Sequence, residues 1–128
     1  MSGCQNDRMC PVLRLDHVQL AMPPGQEEVA TGFYQGLLGV PRVPKPEALA
    51  ARGGCWFESG PLKVHLGVEE DFHPARKAHP ALVVAGLTEL LDRLRHAGVD
   101  VRAGEGPGQF YVDDPFGNRI ELIRSDSG

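Results

Sequence analysis

From Leu13 onward the chain alternates two hydrophobic patterns. In short runs, aliphatic and polar residues exchange places at every second position; in longer runs the aliphatic residues recur every three or four. The first kind includes Asp16-His17-Val18-Gln19-Leu20, Lys63-Val64-His65-Leu66, His79-Pro80-Ala81-Leu82-Val83-Val84 and Arg119-Ile120-Glu121-Leu122. Strand side chains change face at each step, so His17, His65, His79 and Glu121 all point away from the aliphatic side of their strands. This predicts a polar, concave sheet face, with helices covering the apolar one.

The elements fall into two halves with one plan. The first half runs as a strand from Leu13 to Met22, a Pro23-Pro24-Gly25 turn, and a helix from Gln26 to Leu38 that Gly39 stops. Val29, Phe33 and Leu37 should form that helix's apolar stripe. A short strand at Val40 to Val43, a helical turn within Pro46 to Arg52 and a hairpin from Gly53 to Val68 follow, with Ser59-Gly60-Pro61 at its tip. A charged linker leads to the second half: a strand from Ala78 to Ala85, a helix from Thr88 to Ala97, a strand at Val99 to Arg102, and a hairpin pairing Gln109–Asp113 with Arg119–Arg124. Leu87, Leu90, Leu91 and Leu94 should face inward from that second helix. Each half is β-α-β-β-β, which predicts an α+β fold. The organisation is a single domain over 13–124, made of modules 13–68 and 78–124, with 1–12 a flexible start and 125–128 a tail. His17 then matches His79 on the first strand of each module, and His65 matches Glu121 on the fourth.

Composition narrows the possible partners. With 128 residues and 41% apolar content the chain is long enough for one core. A net charge of −4 and a pI near 5.7 argue against nucleic acid and anionic membranes. No apolar run is long enough for a membrane span and the start lacks a signal-peptide core, so a cytoplasmic protein binding small molecules or its own copies is expected. The cysteines Cys4, Cys10 and Cys55 lack Cys-x-x-Cys spacing; unpaired thiols are favoured over a Cys4–Cys10 pairing or a metal contact, and packing explains Cys55 as well as reactivity does.

A single strand histidine is more often a hydrogen-bonded structural residue than a ligand. Three imidazoles and a carboxylate at matched positions are a different matter, because they supply the donors that suit Zn, Ni, Mn, Co or Fe. Glu121 or His65 could serve as general base if either left the metal. If only His17, His79 and Glu121 bind, they make the two-histidine, one-carboxylate face that suits iron(II) and oxygen. Gln19, Lys63 and Arg119 share those strand faces and are candidates for substrate binding, with solvated strand-end charge as the alternative for the two cations. Trp56 is either pocket wall or core. Pro80 lacks a ladder donor and should put His79 at its strand's entrance. His73 and His96 are expected on the surface, and Arg76 and Lys77 mainly keep the linker soluble. Asp113-Asp114 reads as turn chemistry before Pro115. The run Gly104-Glu105-Gly106-Pro107-Gly108 lacks the Lys-Ser/Thr continuation of a phosphate loop.

Three segments, Leu15-Asp16-His17-Val18, Phe33-Tyr34-x-x-Leu37-Leu38-Gly39 and Asp114-Pro115-Phe116-Gly117-Asn118-Arg119-Ile120-Glu121-Leu122, resemble the vicinal oxygen chelate superfamily. It includes glyoxalase I, methylmalonyl-CoA epimerase, fosfomycin-resistance thiol transferases, extradiol dioxygenases and bleomycin-resistance proteins. The resemblance spans Leu13 to Arg124. It implies two paired modules curling a mixed sheet into a cup, a shared ligand set at His17, His79 and Glu121, and a homodimer whose sites can draw on two subunits. His65 falls where glyoxalase-like and epimerase-like members often carry glutamate or glutamine, a departure that weakens a strict glyoxalase assignment. The function so implied is a glyoxalase-like, metal-dependent lyase or isomerase that chelates a small oxygenated metabolite. The alternatives are a metal-free, drug-sequestering protein of the bleomycin-resistance type, a thiol transferase or a dioxygenase.

Overall fold

The computed structural model describes residues 10–126. Its elements are β1 (Val18–Met22), α1 (Glu27–Thr31) continuing as a π-helical segment (Gly32–Leu37), β2 (Arg42–Val43), α2 (Glu47–Ala50), β3 (Cys55–Ser59) and β4 (Leu62–Val68), then β5 (Ala81–Val84), α3 (Leu87–His96), β6 (Arg102–Ala103), β7 (Gln109–Asp113) and β8 (Arg119–Arg124). They build two four-stranded mixed sheets of identical plan, β1-β4-β3-β2 and β5-β8-β7-β6. In each, the module's first strand lies parallel to its last, and the remaining pairs are antiparallel. The α+β duplication expected from the sequence is the fold observed.

Period-two alternation places the core. Val64 and Leu66 on β4, and Ile120 and Leu122 on β8, are essentially inaccessible and join Leu87, Leu90, Leu91 and Leu94 of α3 and Phe33, Tyr34 and Phe57 in one cluster. Burying these side chains contributes roughly 1.5–3 kcal/mol each. The intervening residues, Lys63, His65, Arg119 and Glu121, take the other faces. Gly54 has φ +84, and a Cβ there would lie 2.2 Å from the Leu66 carbonyl oxygen, so only glycine lets β3 start beside β4.

Several boundaries differ from the sequence reading: β2 starts at Arg42 instead of Val40, and β5 spans Ala81–Val84 instead of Ala78–Ala85. The first strand begins at Val18 instead of Leu13, because its parallel partner runs out: continuing the register past Val18↔Val64 would set residues 14 and 15 opposite Gly60 and Pro61 of the hairpin tip. Leu13 and Leu15 are accordingly exposed, and His17 stands just ahead of β1. The second strand of the second module, β6, also starts late, at Arg102 instead of Val99. The first helix's stripe is shifted as well. Its second half widens to i+5 hydrogen bonding, with Leu38 N–H donating to Phe33 O at 2.9 Å, and the wider turn rotates Ala30, Phe33 and Tyr34 inward while Val29 is left exposed. Gly39, φ +78, closes the helix as predicted, with Val40 N–H reaching back to Tyr34 O at 2.9 Å.

The second module's turn carries more than turn chemistry. Asp114 and Asn118 are buried at 4% and 0% exposure. Asp114 Oδ1 accepts from Phe116 N and Asn118 N, both at 2.9 Å, while Oδ2 accepts from Tyr34 OH at 2.7 Å and Asn118 Nδ2 at 3.0 Å. Asn118 also donates to Ala21 O at 2.9 Å and accepts from Ala75 N at 2.9 Å. This network joins β1, the helix of the first module and the linker to one turn. Burial and the neighbouring Asp114 carboxylate push the Tyr34 phenol well above its ordinary range.

Cys55 is free and 1% exposed, and burial raises its thiol to about 11, so packing accounts for it. Cys4, and with it the Cys4–Cys10 alternative, lies outside the described residues. His73 and His96 are exposed, as expected. Among the described residues no helix is long and apolar enough to cross a membrane.

Candidate functional site

The four candidate ligands divide between the sheets. His79 precedes β5, with Pro80 next to it contributing no donor to the ladder, although its carbonyl accepts from Glu121 N at 3.0 Å. That bond brings the β8 carboxylate to the histidine: His79 Nε2 lies 3.1 Å from Glu121 Oε1, with side chains 23% and 14% exposed.

The other ring nitrogen gives this contact its meaning. His79 Nδ1 lies 3.0 Å from the Lys77 carbonyl oxygen, which only accepts, so the Nδ1 proton is committed there. A neutral imidazole then presents a lone pair from Nε2 towards Glu121. Two acceptors facing each other at 3.1 Å require a proton or a cation between them. Two ligands bound at about 2.1 Å to one divalent ion, at angles between square and tetrahedral, stand about 3.0–3.4 Å apart. The donor types and their spacing fit such an ion, and a histidine whose second nitrogen is held by a carbonyl is the usual support for a metal ligand.

His17 is prepared in the same way. Its Nδ1 is 2.9 Å from Asp16 Oδ2, which leaves Nε2 as the open nitrogen. The His17 bond, reinforced by Lys63 with its Nζ 3.9 Å from Asp16 Oδ1, holds the Asp16 carboxyl below the usual range. His17 and His79 both line a cavity of about 390 Å³ between the strand entrances. Within one chain, however, no group of three or more His, Cys, Asp or Glu side chains among the described residues is close enough to hold an ion.

His65 is placed differently. At 5% exposure it lies between two rings, with Trp56 stacked on it at 3.9 Å and 2° and His17 at 4.5 Å and 23°. Its Nε2 is 2.7 Å from Glu58 Oε2. Trp56 is therefore a wall of the polar face rather than core. Glu58 is the residue that the sequence reading missed. Two positions from Trp56 on the same strand it shares that face, and the alternation used for the histidines would have found it.

The three candidate substrate residues spread along the same faces. Gln19 is exposed, paired in register with His65. Lys63 is tied to Asp16, and Arg119 lies 5.3 Å over the Tyr111 ring, which in turn meets His79 edge-on at 5.5 Å.

Known proteins agree with this plan. The family model of the glyoxalase/bleomycin resistance protein/dioxygenase superfamily matches residues 14–122. A glyoxalase family protein from Bacillus anthracis is 45% identical, with a TM-score of 0.84 over 90% of this chain and 97% of its own. The fosfomycin resistance protein FosX from Listeria monocytogenes, at 16% identity, shares the fold with a TM-score of 0.68 over 89% of this chain and 94% of its own. A variant of that FosX, complexed with Mn(II) and 1S,2S-dihydroxypropylphosphonic acid, matches with a TM-score of 0.67 at 16% identity, over 88% of this chain and 92% of its own. No curated protein matches. The chain belongs to the glyoxalase/bleomycin resistance protein/dioxygenase superfamily.

Proposed function

We propose that the protein is a divalent-metal-dependent enzyme of the glyoxalase-like kind, a lyase or isomerase that chelates two neighbouring oxygens of a small metabolite. The observation that carries this reading is the 3.1 Å approach of His79 Nε2 to Glu121 Oε1 while His79 Nδ1 lies 3.0 Å from the Lys77 carbonyl oxygen, a contact that a proton or a cation must fill. The Mn(II)-bound FosX relative supports it at the level of the fold alone.

In this reading His79 and Glu121 supply two ligands and His17 the third, from a second copy of the chain. The same-chain His17 does not complete a three-residue group. Strands β1 and β5 are sheet edges, and Leu13, Leu15 and Val83 are 70%, 75% and 70% exposed beside them, an apolar margin that a second copy would cover. A metal so held supplies Lewis-acid stabilisation of negative charge developing on a substrate oxygen. Asp16 and the Lys77 carbonyl keep the two imidazoles in the tautomer that offers Nε2. His65 enters as the ring that fixes His17, itself fixed by Glu58 and Trp56, and its Nδ1, without a partner among the described residues, is the nitrogen on which it could take a substrate proton. Arg119 and Lys63 lie on the faces where an anionic substrate would sit.

The test is thermal unfolding after chelation and reloading with Mn, Ni, Zn, Co or Fe(II), combined with mixing of two variants. A metal that binds the folded state must raise its stability. Neither His17→Ala nor Glu121→Ala alone should retain tight metal, whereas unfolding and refolding them together should restore sites that pair an intact His17 with an intact Glu121. No thermal response to any of the metals would instead favour a metal-free binding protein, and a failure to complement would put the site within one chain.

A further inference from the structure

On the polar face of the first sheet, beyond the ring stack, a second cavity of about 250 Å³ is walled by Gln19, Trp56 and Gly67 on one side and by Lys45 and Arg52, which flank α2, on the other. Gln19, His65 and Trp56 are in register across β1, β4 and β3, so this cavity and His17 lie on opposite sides of the same row. The stack of His17, His65 and Trp56 links the two places by ring contacts of 4.5 and 3.9 Å.

The two cations of this cavity have no close ion-pair partner. Lys63, Arg42, Arg95 and Arg102 each have a carboxylate within 4.0 Å, whereas neither Lys45 nor Arg52 has one among the described residues. Lys45 is half-buried and donates to the Gly53 carbonyl, which holds the ammonium in place without cancelling its charge. The nearby Glu27 carboxylate accepts from Gly54 N–H at 2.9 Å and keeps its own charge, but it makes no ion pair with either cation. Gly67 makes room for a polar wall: a Cβ there would lie 2.8 Å from Gln19 Nε2, so the absence of a side chain lets the amide lie across β4. In a chain of net charge −4, a pair of cations, an amide and an indole around one hollow make an oxyanion pocket with a flat apolar floor.

We propose that this cavity is a second substrate subsite, which takes the carboxylate or phosphate end of an anionic small molecule whose planar or apolar body lies along Trp56. The inference rests on the metal reading only for what happens at the molecule's other end, where its vicinal oxygens would reach the His17, His79 and Glu121 site.

Trp56 is the sole tryptophan of the chain, so its fluorescence reports on this cavity without any turnover. The experiment titrates benzoate, phenyl phosphate and the neutral isostere benzamide into chelated and into metal-loaded protein, with elemental analysis of the loaded sample. A saturable change with benzoate or phenyl phosphate but not with benzamide is expected, with or without metal; whichever anion binds more tightly identifies the oxyanion. Lys45→Gln and Arg52→Gln should each weaken that binding about tenfold, the equivalent of one charge-assisted hydrogen bond, without altering metal content. Benzamide binding as well as the anions, or unchanged affinity in both variants, would overturn the subsite. Loss of the metal reading shows separately, as wild-type protein that holds no metal while the anion titration still saturates.

Discussion

Asp114 and Glu121 lie on the same hairpin, both largely withdrawn from water, and they differ in what faces them. Every group at Asp114 is a donor: two backbone N–H groups, the Tyr34 hydroxyl and the Asn118 amide. Glu121 faces a ring nitrogen whose partner nitrogen donates to the Lys77 carbonyl oxygen. The first carboxylate is complete and can only be structural. The second is completed either by a proton or by a cation, and that open choice is what makes it a candidate for function.

The largest effect should come from breaking the complete network. Asp114→Ala strands four donors in the interior and should cost on the order of 3 kcal/mol or more in urea unfolding, with metal stoichiometry per folded molecule unchanged. Metal loading comes next. At a hundredfold excess over Kd it should raise wild-type stability by about 2.7 kcal/mol, and the gain should vanish in His79→Ala and Glu121→Ala while persisting in Tyr34→Phe.

Tyr34→Phe should cost about 1 kcal/mol at neutral pH, since it removes one donor from Asp114 and leaves the ring packed. The phenol's pKa is raised on folding, so its contribution is intact below the ordinary value of 10.0 and is lost as pH climbs towards the folded-state value; the phenylalanine variant should lose less stability than wild type above pH 10. The smallest effect belongs to Asp16. Its pKa is depressed on folding, so its stabilising contribution is present above 3.8 and fades as pH falls through the lower folded value. Asp16→Asn should flatten acid unfolding only slightly, because the group is exposed, yet it should weaken metal retention by freeing His17 to change tautomer.

The fold was largely legible, because two-residue alternation around Val64 and Leu66 and around Ile120 and Leu122, together with the leucine stripe of α3, fixes which face packs inward whatever the tertiary details. His79 and Glu121 were legible as polar-face residues for the same reason, but alternation matched His79 with His17 and Glu121 with His65; that His79 and Glu121 belong together came only from the family resemblance. The start of β1 was not, since nothing local in Leu13-Arg14-Leu15 reveals that its partner strand has already turned at Pro61. The π-helical widening that exposes Val29 is equally invisible to a period of 3.6. His65 was legible as a polar-face residue, but its bond to Glu58 depends on rotamers within the stack. Asp114 looked like ordinary turn chemistry because its fourth donor, Tyr34, is eighty residues away.

The most direct test of the central claim is elemental analysis of anaerobically purified wild-type, His79→Ala and Glu121→Ala proteins. The wild type should retain a transition metal at close to one ion per chain, and neither variant should. Equal metal content in all three would contradict the claim.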